Sequence, residues 1–154
     1  MKKEIFYTLC SKVFDCLNSD EQLTLFLEGE NSQYFRFNDS KLRQSGIIED
    51  FNLTLSLYNN NKCLQSMTTI SADLDSSVRK IIKEIDILRL SLNATPPSDH
   101  IVFPDKFGSV EVNALGNLPE RDNILDSLMG IIDKNTLTGV WSSGKIFRGC
   151  CASN

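Results

Sequence analysis

Gln22-Leu-Thr-Leu-Phe-Leu-Glu28, Ser32-Gln-Tyr-Phe-Arg-Phe-Asn38, Asp50-Phe-Asn-Leu-Thr-Leu-Ser-Leu-Tyr58 and Lys62-Cys-Leu-Gln-Ser-Met-Thr-Thr-Ile70 are four stretches in which apolar and polar residues alternate. A period of two places successive side chains on opposite faces of a strand, so each stretch reads as sheet with one buried and one wet face. Gly29-Glu30-Asn31 separates the first two and Asn59-Asn60-Asn61 the last two. Both are turn chemistry, and together they predict two strand pairs with a polar corner between them. Lys41-Leu-Arg-Gln-Ser45 extends or bulges the second strand ahead of Gly46.

Working outward, residues 4–17 carry Ile5, Phe6, Leu9, Val13, Phe14 and Leu17 at helical spacing, and Asn18-Ser19-Asp20 stops that helix. A second helix is predicted over 73–92, with Ser71 or Asp73 as cap and Val78, Ile81, Ile82, Ile85, Leu88 and Leu92 as its apolar face. Pro96-Pro97 cannot continue it. Residues 93–120 then form a linker or extended connection with a short strand at 108–113. A third helix is expected from about 120 to 134. The remainder reads as a hairpin, Thr138-Gly-Val-Trp-Ser-Ser143 and Lys145-Ile-Phe-Arg-Gly-Cys-Cys151, turning at Ser143-Gly144. The expected class is α+β, an antiparallel four-stranded sheet with flanking helices in the order helix-β-β-β-β-helix, followed by linker, helix and C-terminal hairpin. The domain expectation is an N-terminal α+β domain at 1–92, the connection at 93–120, and 121–154 as the start of a further domain or packed on the first.

The chain has 154 residues, 41% of them apolar and 23% charged, which suits one ordinary core. A net charge of −4 without clustered Lys and Arg argues against direct nucleic-acid binding. No apolar run approaches the ~20 residues that span a bilayer, and polar residues interrupt the N-terminal region where a secretory signal would lie. The expected location is the cytoplasm, with no membrane partner.

Chemistry-bearing residues are sparse. Five cysteines (Cys10, Cys16, Cys63, Cys150, Cys151) form no CxxC and read as reduced, small apolar residues. His100 is the single histidine, in a loop after two prolines beside Asp99, and no Cys lies near it in sequence. Ser142-Ser143-Gly144 is not a Gly-x-Ser-x-Gly elbow, and Gly144-Lys145 lacks the spaced glycines of a phosphate loop. Acidic pairs such as Asp73/Asp75 and Glu49/Asp50 read as capping and turn residues. Arg36 and Arg43 bracket the turn after the second strand. They either line a groove for an acidic or peptide ligand or decorate a wet sheet face. Trp141 is either a core aromatic or an interface anchor.

The order of elements resembles the N-terminal part of the TldD/PmbA proteins, a family described as zinc-dependent peptidases and modulators of DNA gyrase. Tyr34-Phe-Arg-Phe-Asn-Asp-Ser-Lys-Leu-Arg-Gln-Ser45, the strand pair 50–70 followed by the second helix, and the closing segment 137–154 carry the likeness. Two features depart from the family pattern. Leu55-Ser-Leu-Tyr-Asn-Asn-Asn-Lys62 replaces a glycine-rich stretch, and the final loop is cut before its glycine. The resemblance implies a homo- or heterodimer with a related subunit and a peptide or protein substrate. It also implies a zinc held by a downstream His-Glu-x-x-x-His helix, a motif this chain lacks. A catalytic zinc takes about three protein ligands plus a water, so no catalytic residue and no cofactor is assigned here, and the chain alone is expected to be inactive. The expected function is that of a non-catalytic N-terminal domain serving subunit pairing and peptide access. The alternative from another class is a free-standing α+β module that binds protein or peptide.

Overall fold

The alternation that opens the sheet runs straight through the first glycine. In the computed structural model, which describes residues 3–71, 73–103, 108–114, 116–132 and 135–153, helix α1 (Lys3–Phe14) is followed by three strands. These are β1 (Gln22–Asn38), β2 (Lys41–Asn59) and β3 (Lys62–Thr69). Helices α2 (Leu74–Ala94) and α3 (Arg121–Ile132) come next, and strand β4 (Gly139–Ala152) closes the order. The sheet has four strands in the order β3-β2-β1-β4. The α+β class, the antiparallel four-stranded sheet and its helices therefore stand.

The distribution of strands differs from the expectation in two places. The stretches 22–28 and 32–38 are one strand, and the C-terminal hairpin is also one strand, which supplies the sheet's fourth member. The physical reason lies in the glycines. No glycine among the described residues has a positive φ, so neither Gly29 nor Gly144 turns the chain. A Cβ on Gly29 would run into the Phe51 ring, and one on Gly144 would overlap the backbone of Ser32. Both are close-approach glycines inside strands. The real hairpin turns fall where short polar side chains take positive φ: Asp39 (50°) with Ser40 (58°), and Asn60 (48°) with Asn61 (56°). Two successive left-handed residues are the type I′ geometry that matches strand twist. The second turn sets Asn59 opposite Lys62 and the ladder on to Asn52 opposite Thr69. The short strand expected at 108–113 does not form. Val110 and Val112 are 88% and 85% exposed, with no apolar surface to cover them.

The chain folds as two compact units. The first comprises Met1–Gly29, Asp50–Phe107 and Phe147–Asn154. Its core gathers Phe6, Leu9, Cys10 and Val13 of α1, alternate leucines of β1 and β2, and Ile81, Ile85, Leu88 and Leu92 of α2. Each fully buried Leu, Ile or Phe contributes roughly 1.5–3 kcal/mol before chain entropy is counted. Helix α2 begins where the Asp73 carboxylate accepts the Ser76 N–H at 3.2 Å. It ends at Thr95, whose N–H returns to the Leu92 carbonyl, just before the two prolines.

The second unit comprises Glu30–Glu49 and Gly108–Ile146. Its core is small: Phe35, Phe37 and Ile124, with Leu125, Leu128, Ile132, Leu137 and Trp141 packed around them. No helix among the described residues is long and apolar enough to cross a membrane.

Candidate functional site: an arginine recess at the hairpin tip

The two-residue turn Asp39-Ser40 joins β1 to β2, with Arg36 near the end of β1 and Arg43 near the start of β2. Both side chains are exposed, and both line one open recess of about 540 Å³. Phe37, Asn38, Thr138, Gly139 and Val140 complete its lining. The wall at 138–140 is fixed to the turn by polar contacts. The Asp39 N–H donates to Thr138 Oγ1 at 3.1 Å, and the Ser40 N–H to the Leu137 carbonyl at 2.9 Å. The Leu137 N–H donates to Ser40 Oγ at 3.0 Å, and that hydroxyl donates to the Asn135 carbonyl at 3.2 Å. The hairpin tip is thereby stapled to residues almost one hundred positions later.

Among the described residues no lining residue of this recess is acidic, and neither arginine has an ion-pair partner. Two cations lining one recess attract an anion more strongly than either does alone. Guanidinium groups bind carboxylates through paired, charge-assisted hydrogen bonds. Among the described lining residues the two arginines are the charged groups.

Trp141 does not line this recess. It is half-buried and stacks on Phe35 with ring centroids 5.6 Å apart and planes 27° off parallel, inside the small core of the second unit. The Arg121 guanidinium lies 5.6 Å from the Phe35 centroid. His100 is exposed in a turn. Among the described residues no three His, Cys, Asp or Glu side chains come together as a metal site, and the residues present do not fit a zinc. Cys10 is buried and its thiol is pushed up by the neighbouring Cys151 thiol and by burial, which makes it inert packing.

One polar cluster had no sequence signal. A second recess, of about 560 Å³ in the first unit, is lined in part by Asn18, Glu21, Lys62 and Arg89. Glu21 and Arg89 pair there at 2.8 Å with the carboxylate side chain only 4% exposed. The residues are 68 positions apart, a separation that periodicity cannot bridge. Because they satisfy one another, the pair fastens α2 and leaves no open group for a ligand.

No family model matches the chain, and no curated protein matches it by sequence. Solved structures do. TldE from Thermococcus kodakarensis superposes with a TM-score of 0.64 at 10% identity, over 96% of this chain and 37% of that one. A protein from Thermotoga maritima, described as a candidate modulator of a DNA gyrase, gives 0.58 at 8% identity over 96% and 38%. The chain thus spans less than two-fifths of the length of either structure. Identity this low carries the fold and nothing finer, and on that ground the chain has the fold of a TldD/PmbA-like N-terminal domain.

Proposed function

We propose that this chain is a non-catalytic domain of a TldD/PmbA-like protein that serves subunit pairing and peptide access, with Arg36 and Arg43 receiving a carboxylate of the peptide. The observation that carries the reading is the recess itself: two arginines with no ion-pair partner among the described residues line it together, at a hairpin tip pinned by Ser40 and Thr138. An extended peptide presenting an acidic side chain or its C-terminal carboxylate fits that lining, since each charge-assisted hydrogen bond contributes about 1.5–3 kcal/mol. The fold supports the wider reading, because TldE carries the same architecture over nearly the whole of this chain.

Calorimetric titration of acidic and neutral peptides of equal length tests it. Acidic peptides are expected to bind, and the Arg36→Glu/Arg43→Glu variant to lose affinity by about a hundredfold, the equivalent of ~2.7 kcal/mol. Equal affinity for both peptide classes, or for wild type and variant, overturns the recess. Copurification with a TldE-type subunit tests the pairing role separately.

A further inference from the structure

Strand β2 has two very different halves. From Asn52 to Asn59 it is paired with β3, but β3 ends at Thr69 and only the Ile70 N–H reaches further, to the Phe51 carbonyl. Residues 41–49 therefore show a free edge on the side away from β1, and among the described residues no backbone hydrogen bond outside the sheet ladders reaches them. This edge carries charges only near its ends, and residues 44–48 between them are uncharged. It is nine residues long, has no proline, and exposes Leu42 (42%), Ile47 (69%) and Ile48 (39%). A long free edge with apolar side chains is a template for another strand.

The charges on that edge say which strand. Lys41 and Arg43 stand at one end and Glu49 and Asp50 at the other, with Gly46 near the middle. Among the described residues Lys41, Arg43 and Glu49 have no ion-pair partner. Laid antiparallel on a second copy of itself, the segment sets its basic end against the other copy's acidic end, twice. Laid parallel, it would set like charge against like. An antiparallel self-pairing is also the isologous arrangement that a two-fold axis generates.

We infer that residues 41–49 of β2 are a pairing edge for a second copy of this chain, which joins two sheets into one continuous sheet across a two-fold axis near Gly46. The inference rests on the pairing role proposed above and names its surface. Ladder hydrogen bonds and cover for Ile47 and Ile48 supply affinity, and the end charges fix direction.

Sedimentation equilibrium of the 154-residue chain across micromolar concentrations tests it. Wild type is expected to be a dimer. Lys41→Glu/Arg43→Glu and Glu49→Lys/Asp50→Lys are each expected to weaken the dimer at least tenfold. The fourfold variant, in which the ends exchange charge, is expected to regain it, and circular dichroism of all four proteins verifies folding. A wild-type monomer throughout the range overturns the inference. A dimer equally strong in both charge-reversed variants overturns the edge yet leaves the pairing role standing, whereas failure of that role shows in the copurification.

Discussion

At the scale of single residues, the strongest polar commitment is Glu21. Its carboxylate accepts the Asn18 N–H at 2.9 Å, Asn18 Nδ2 at 3.0 Å, and Arg89 Nε and Nη2 at 2.8 Å each. The bonds from Arg89 come first among the forces that hold its pKa below the ordinary glutamate value, and they outweigh the burial that opposes them. Arg89 reaches onward to Asp86 at 2.8 Å and to the Cys16 carbonyl at 2.9 Å, so one guanidinium ties the end of α1, the start of β1 and the middle of α2. Glu21→Ala leaves that cation without its buried partner and is expected to lower unfolding free energy by about 3 kcal/mol in urea titrations. The pH dependence has a definite sign. A depressed folded pKa means that the unfolded chain takes up the proton first. The contribution is complete above the unfolded value and is lost as pH falls through the folded one. Acid titration of wild type against Glu21→Gln, followed by circular dichroism, should show the steeper loss of stability in wild type. Parallel curves would remove Glu21 from the account.

At the scale of elements, glycines separate strand from turn, and the two kinds answer differently to substitution. Gly144 lies within β4, where a Cβ would meet the Ser32 backbone, so Gly144→Ala is expected to destabilise by about 2 kcal/mol or more. Gly130 sits in α3 with nothing within 4 Å of an added Cβ, so Gly130→Ala should gain about 0.5–1 kcal/mol. Thermal melts of the two variants with opposite shifts would bear this out, and shifts of one sign would refute it. The same distinction explains what could be read from sequence. Helix α2 was legible because its cap Asp73 and its apolar stripe are local signals. The alternation of β1 and β2 was legible too, but the connections were not. A glycine that turns and a glycine that admits a neighbour look alike until the neighbour, Ser32 or Phe51, is known. The recess shows the same boundary. Arg36 and Arg43 bracket a nearby turn and could be named in advance, whereas the wall at Thr138 lies 99 positions from Asp39 and only folding brings it there.

At the scale of the whole molecule, the two compact units bury very unequal amounts of apolar surface. In the first, Leu23, Leu25, Leu27, Leu53, Leu55 and Leu57 are wholly hidden, along with α1 and α2 side chains that pack on them. In the second, the buried apolar set shrinks to Phe35, Phe37 and Ile124. Its helix α3 leaves Met129 and Ile131 43% and 49% exposed. Local stability follows the amount of buried apolar packing, so the second unit should open at lower free energy than the first. With roughly 1.5–3 kcal/mol for each buried large apolar side chain, the gap is expected to exceed about 2 kcal/mol. Native-state hydrogen exchange reads it directly. Amides of α2 and of residues 22–27 should exchange only through global unfolding, with opening energies that fall steeply as denaturant is added. Amides of α3 and of residues 139–146 should exchange through a smaller opening, with a lower energy and a shallower denaturant slope. If all of these amides converge on one opening energy and one slope, the units unfold together and the inequality of their cores has no thermodynamic consequence.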